Sequence, residues 1–267
     1  MPRSVAFFAA IGSLLLLGAG PPAEPADVNL NAVLWMQTSV EYRASALETY
    51  RSGESALERA LKDPHWTAGL EQTGDFSKLP PAVILDLDET VLDNSPFEAR
   101  LAASGQDYSD KAWDEWVNER AAGLVPGAKD FLEFATAKHV TPIYITNRVC
   151  DPTKADDPTA QVLRNLGLPL DPAPEHLFCD DGNKGDKTER RTKCAANFRI
   201  LLMFGDQLGD FVRTPANPKD LRARDSLFAA HETMWGERWF QLPNPTYGSW
   251  ETAVGFTVPE KLQHLRQ

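Results

Sequence analysis

A chain of 267 residues, 42% of them hydrophobic, is long enough to bury a sizeable core and fits one large domain with insertions, or a core domain plus a small cap. Its formal net charge of −11 argues against nucleic-acid polymers as partners, because a polyanion would meet a field of its own sign. A small anionic substrate remains open, since a bound cation and a few local bases can reverse the field inside one pocket.

At the start of the chain, Arg3 precedes an apolar run from Val5 to Leu17, and the small and proline residues GAGPPAEPA follow. This pattern predicts a cleavable secretory signal peptide over residues 1–23, with Gly20, Ala23 and Ala26 competing as its last residue. The run is shorter than the ~20 residues of a spanning helix and no second apolar segment follows, so no stable membrane anchor is expected after cleavage. Cleavage at Ala23 would leave 26 basic against 38 acidic residues, a net charge of −12.

Between Asn29 and Leu61 the apolar residues recur at helical spacing (Leu30, Val33, Leu34, Leu47, Tyr50, Leu57, Leu61), which predicts one long amphipathic helix or two in succession. Asp63-Pro64 and the segment from Gly74 to Pro81 break that pattern. Next comes AVILDLDETVLDNS, Ala82 to Ser95. Val83, Ile84 and Leu85 read as a strand buried on both faces, and Asp86 and Asp88 arrive where it should end. Burying two carboxylates there is costly unless a cation or phosphate-site donors compensate them. A turn or a helix cap accounts for one such aspartate, not for the pair.

Residues 95–124 are polar and aromatic and read as a cap insertion carrying a helix from Tyr108 to Ala122. Strand and helix then alternate. A helix is expected over Ala128–Lys138, a strand over Val140–Thr146, a helix over Pro158–Gly167 and a short strand over His176–Cys179. A helix over Thr188–Phe198 and a strand over Ile200–Phe204 complete the series, the last running straight into Gly205-Asp206. The fold class is therefore α/β, a doubly wound parallel sheet with a small mainly helical cap. The core spans about 80–94 and 125–212, flanked by a helical N-terminal segment at about 29–63 and a C-terminal segment from about 213 to 267. That last segment is read as mixed helix followed by an ordered loop, Leu242 to Glu251. Ligands in such sheets bind at the carboxyl ends of strands, where Asp86, Asp88, Thr146, Asn147, Arg148, Asp206 and Asp210 fall.

Carboxylates from separate strand ends suit a hard divalent cation such as Mg²⁺, with Asp86 and Asp206 as side-chain ligands. A hydroxyl and amides at Thr146-Asn147, with a nearby lysine, can hold a phosphoryl group. There is no G-x-x-x-x-G-K-[ST] loop and no G-x-S-x-G elbow, and the five histidines show no paired spacing. Cys150 and Cys179 each fall near the end of a predicted core strand, and Cys179 with Cys194 is nearly as good a pair, so the disulfide pairing stays open.

The ordered set DLDETVLDNS, YITNR (Tyr144 to Arg148), DKTERR (Asp186 to Arg191) and FGDQLGDF (Phe204 to Phe211) resembles the haloacid dehalogenase superfamily. With WMQTSVEY (Trp35 to Tyr42) and LPNPTYGSWE, it is similar to the secreted acid phosphatases that include lipoprotein e(P4)-type 5′-nucleotidases and plant vegetative storage proteins. The resemblance implies Asp86 as nucleophile and metal ligand, and Asp88 as general acid and base that also offers its backbone carbonyl to the metal. It implies Thr146 and Asn147 on the phosphoryl group, Lys187 beside Asp86, and Asp206 as the remaining metal ligand. Asp210 would hold a metal-bound water or orient the lysine. Asp88 could act only with a raised pKa, expected from a neighbouring carboxylate and partial burial.

Lys187 is preferred over Lys184 because K-T-E-R-R matches the family pattern, Arg148 is placed at the phosphate rim or the surface, and Asp93 and Asn94 are read as helix caps. Three departures stand out. LLLLGAGPPA lacks the lipoprotein cysteine, Asp180 and Asp181 replace family lysines, and Gly209 replaces a common acid. Tyr247 is the first candidate for stacking on a nucleobase, ahead of Trp113, Trp116, Phe97 and Tyr50. The expected activity is an exported Mg²⁺-dependent acid phosphatase acting on small phosphomonoesters, nucleoside 5′-monophosphates first, in a chain for which an oligomer is open. A broad-specificity phosphatase or phosphotransferase is an alternative. A storage or binding protein is disfavoured by the intact Asp86, and a dehalogenase by Asp88.

Overall fold

The computed structural model describes residues 29–170, 173–182 and 185–266. The expected signal peptide and Lys184 lie outside the described residues. The amphipathic run at the start forms two helices, α1 (Leu30–Thr38) and α2 (Val40–Lys62). Ser39 decides this, because its backbone is extended and its hydroxyl accepts from the Tyr42 amide at 3.0 Å, capping a new helix where one could have continued.

Strand β1 (Pro81–Leu85) is followed by the short β2 (Leu92–Asp93), the helices α3 (Ser95–Ser104) and α4 (Asp110–Glu119), and β3 (Gly123–Leu124). β2 and β3 pair antiparallel and close the neck of the insertion. Then come α5 (Ala128–Ala137), β4 (Thr141–Ile145), α6 (Pro158–Asn165), the single turn α7 (Ala173–His176), β5 (Leu177–Phe178), α8 (Thr188–Asn197) and β6 (Arg199–Gly205). The chain ends with α9 (Leu208–Phe211), α10 (Leu221–Ala230), a 3₁₀ turn at Glu232–Met234, β7 (Trp239–Gln241), α11 (Ser249–Val254) and α12 (Val258–Leu262).

Among the described residues the core sheet has five strands in the order β5-β4-β1-β6-β7, all pairs parallel. β1 sits in the middle, with successive residues facing opposite layers. Val83 and Leu85 pack with Phe131 and Phe204 on the α2/α5 side, whereas Ala82 and Ile84 pack with Ile143, Cys194 and Met203 on the other. From β1 the chain runs out to β4 and β5 on one side and then crosses to β6 on the other, so a crevice opens beyond the carboxyl end of β1.

The C-terminal segment differs from the expectation of mixed helix and loop. β7 adds a parallel edge strand beside β6, with Trp239 and Phe240 buried. Three residues are too few to carry an alternation that sequence can reveal, so the strand is defined by its partner. No helix among the described residues is long and apolar enough to cross a membrane.

Candidate active site

The strand ends place the polar residues. The Asp86 amide continues the ladder by donating to the Phe204 carbonyl at 3.0 Å, which fixes Asp86 at the mouth of β1. The Thr146 amide donates to the Phe178 carbonyl at 2.9 Å, and the Thr146 hydroxyl accepts from the Arg148 amide at 3.1 Å, turning the chain sharply after β4. Lys187 stands at the N-cap of α8 and Asp206 directly after β6. Asp210 lies in α9, where its Oδ2 accepts from the Gln207 amide at 2.8 Å as half of a capping box.

These elements bring Asp86, Asp206 and Asp210 together, with a carboxylate oxygen of each within 4.8 Å of the others and all three side chains buried. The Lys187 ammonium, itself buried, donates to Asp86 and to Asp210, the latter at 2.6 Å. With all three carboxylates ionised, one ammonium would leave two negative charges in excess, away from water. Burial raises the pKa of Asp86 to about 7, with Lys187 opposing and Asp210 and Asp88 adding to the rise. Asp206 is held well above the usual carboxylate range by burial and by Asp210 and Asp86, against hydrogen bonds from Asn244 and Gln207. Burial works against the Lys187 ammonium, but Asp210 and Asp86 outweigh it and raise its pKa, so the lysine stays cationic. An all-oxygen, over-charged pocket of this kind fits a hard divalent cation.

Asp88 has the expected carboxylate neighbours, Asp86 and Glu89, and its charge adds to the raised pKa of each. Its closest charged partner is a cation: Arg148 donates from Nε to Oδ1 at 3.0 Å and to Oδ2 at 3.1 Å, and from Nη2 to Oδ1 at 2.7 Å. Arg148 is accordingly buried and not a surface residue. Asn94 is also more than the helix cap expected of it. Its side chain makes no capping bond; Nδ2 donates to Asp88 at 2.8 Å and Oδ1 accepts from Trp116 Nε1 at 2.8 Å. Asp93 accepts from the Ser95 amide at 2.9 Å, a local turn.

Tyr247 comes to the site through its hydroxyl, which donates to Glu89. Glu89 is fully buried in a left-handed conformation with φ 56°, and burial with Asp88 and Asp206 nearby holds its pKa well above the usual carboxylate range. Among the other aromatic candidates, Tyr50, Phe97 and Trp116 are core residues and Trp113 is partly exposed against Arg148; Tyr108, which the sequence did not single out, is exposed beside Phe97. Sequence reasoning missed Glu89, Asn244 and Gln207. Asn244 Nδ2 and Gln207 Nε2 donate to Asp206 Oδ2 at 2.8 and 3.0 Å. For Asn244 the only available signal was its place in the LPNP loop.

The disulfide joins Cys150 to Cys179, across the ends of β4 and β5, and leaves Cys194 unpaired and buried.

At the end of the central strand Asp86 is thus paired with Lys187 and faces further carboxylates. Residues 22–250 match the model of the HAD superfamily, subfamily IIIB (acid phosphatase). Solved structures of the Class C acid phosphatase from Bacillus anthracis, one of them with tungstate bound, are 33% identical to this chain. They cover 90% of it and 97% of their own length, with a TM-score of 0.75. With the motifs, the fold and the match extending over the same residues, the chain belongs to the acid phosphatases of HAD subfamily IIIB and is a phosphomonoester hydrolase.

Proposed function

We propose that this protein is an exported, Mg²⁺-dependent phosphatase that cleaves phosphomonoesters through a phospho-aspartyl intermediate on Asp86, with nucleoside 5′-monophosphates as favoured substrates. The observation that carries the reading is the group of three buried carboxylates around Lys187 at the end of β1. Bound among Asp86, Asp206 and the Asp88 carbonyl, Mg²⁺ would offset the excess negative charge and that of the substrate phosphoryl group.

In this reading a carboxylate oxygen of Asp86 attacks phosphorus and the bond to the ester oxygen breaks, while Asp88 gives its proton to the departing alkoxide. Water then attacks the phospho-aspartate and passes its proton to Asp88. Inorganic phosphate leaves and Asp86 is restored. Thr146 and Asn147 bind the transferring oxygens, and Lys187 offsets charge developing beside Asp86. Asp210 serves mainly to orient that lysine, in keeping with its 2.6 Å contact. The contact between Tyr247 and Glu89 holds the tyrosine ring beside the site, with Tyr108 and Trp113 offering aromatic surface on the cap. Export rests on Arg3 and the apolar run behind it.

A panel of phosphomonoesters assayed with and without EDTA, on wild type and Asp86→Asn, tests the chemistry. Turnover should vanish in both EDTA and the variant, and kcat/KM should be highest for nucleoside 5′-monophosphates. Metal-independent turnover, or a fully active variant, would refute the mechanism. Equal kcat/KM for aliphatic esters would leave a broad-specificity phosphatase. N-terminal sequencing of the exported protein tests cleavage near Ala23.

A further inference from the structure

Two adjacent arginines of α8, Arg190 and Arg191, are each 1% exposed, and neither reaches Asp86. Successive helix positions point about 100° apart, so the two side chains leave α8 in different directions. Arg190 runs towards β4 and β5. Its Nη1 donates to the Thr146 carbonyl and, at 3.4 Å, to the Cys179 carbonyl. Its Nη2 donates to Asn147 Oδ1 at 2.9 Å and to the Asp186 carbonyl at 3.2 Å. One guanidinium thus ties together the turn after β4, the end of β5 and the residue before Lys187. Arg191 runs towards β6 and α9. Its Nη1 donates to the carbonyls of Gly209 and Asp210 at 2.9 and 3.2 Å, and its Nη2 to the Thr188 hydroxyl at 3.1 Å. Its Nε is paired with Glu71 at 2.8 Å.

Burying a guanidinium is costly, and Arg190 lies no closer than 3.9 Å to a carboxylate, that of Asp181. Two of its four hydrogen bonds go to Thr146 and Asn147, the segment proposed to bind phosphate, and the other two to the carbonyls of Cys179 and Asp186. The bond to Asn147 Oδ1 also fixes the amide, so that the carbonyl end is occupied and the NH₂ end is free to donate.

We propose that Arg190 and Arg191 are positioning residues with separate tasks. Arg190 shapes the phosphate cradle at Thr146-Asn147, and Arg191 sets the place of Asp210 and, through it, of Lys187 beside Asp86. The inference rests on the phosphatase reading and deepens it. Lysine keeps the charge at either position but cannot span several acceptors with a rigid fork. Arg190→Lys should therefore weaken phosphate binding, raising KM and the inhibition constant of inorganic phosphate about tenfold, as loss of an orienting partner commonly does. Arg191→Lys should instead lower kcat about tenfold and leave that inhibition constant near the wild-type value.

The experiment measures KM, kcat, inhibition by inorganic phosphate and the thermal shift that saturating phosphate produces, for wild type, both lysine variants, Arg190→Gln and Asp86→Asn. The split between the two arginines, with the phosphate-induced shift reduced only in the Arg190 variants, supports the proposal. Lowered Tm with unchanged constants, the same kinetic defect in both, or failure of every arginine variant to fold would make the pair purely structural and overturn it. Turnover by Asp86→Asn would instead sink the phosphatase mechanism, whatever the arginines do.

Discussion

Arg148 holds Asp88 in a planar fork, with Nε 3.0 Å from Oδ1 and Nη2 2.7 Å from the same oxygen. The guanidinium is fixed in turn by Asn94 Oδ1 at 3.2 Å and by the Trp113 ring, whose centroid lies 5.3 Å away. In the proposed mechanism Asp88 is the proton donor, and a donor that must meet a leaving oxygen depends on such orientation. Arg148→Lys keeps the charge and loses the fork, so kcat/KM should fall roughly 10–100-fold while the melting temperature changes little. Steady-state kinetics beside a thermal melt checks this, and an unchanged kcat/KM would mean that Asp88 needs no such clamp.

The buried carboxylates should make the metal-free protein less stable as pH rises. Asp86 has a folded pKa of about 7, above its unfolded value of 3.8, and Asp206 is displaced in the same direction. A raised folded pKa means that the native state binds more protons than the unfolded one, so stability falls with increasing pH across that window. The contribution is fully present below about 4 and lost as pH passes about 7. Melting in EDTA should therefore give a higher Tm at pH 5 than at pH 7.5, and Mg²⁺ should raise Tm more at pH 7.5. An EDTA melt whose Tm rises over that range would contradict the charge excess described for the site.

The alternating core and the polar strand ends were legible because each rests on a short-range signal: an apolar run, a break, and charged residues at the break. The same local signal placed Asp86, Thr146, Asp206 and Asp210 at strand ends on one crevice and the family resemblance added Lys187; the structure gathers Asp86, Asp206 and Asp210 around that lysine. What stayed hidden depends on long-range partners. Nothing local to Arg148 says that its guanidinium meets Asp88, 60 residues away in sequence, and nothing near Tyr247 points to Glu89. Asn94 has the composition of a helix cap, and only its distance from Trp116 and Asp88 shows its other task. β7 is hidden for the same reason, since its hydrogen bonds come from β6.

Cysteine chemistry gives a separate check. Cys150 and Cys179 are bonded with Cα atoms 5.5 Å apart, tying the turn after Arg148 to the end of β5. Burial pushes the Cys194 thiol up to about 12, so it stays protonated and unreactive at neutral pH. Ellman titration should find no thiol in the native protein, one after denaturation and three after reduction in denaturant. Replacing Cys150 and Cys179 by serine should cost about 3.5 kcal/mol in chemical denaturation, the scale expected for a link across 29 residues. A reactive thiol in the native state would contradict this arrangement.

Two glycines separate damage to the site from damage to the core. A Cβ on Gly205 would lie 2.4 Å from both Cβ and Oδ2 of Asp210, and one on Gly53 would lie 2.5 Å from Phe204 Cζ. Neither glycine has a positive φ, so alanine at either position acts through crowding and not through backbone strain. Overpacking of this kind costs about 1–3 kcal/mol, and both variants should melt earlier. Gly205→Ala should also push Asp210 away from Lys187, remove the second acceptor of the ammonium and lower kcat at saturating substrate. Gly53→Ala presses α2 away from β6 on the far side of the sheet from α8, so its folded fraction should keep the wild-type kcat. If Gly205→Ala also kept it, the contact between Lys187 and Asp210 would matter only for stability.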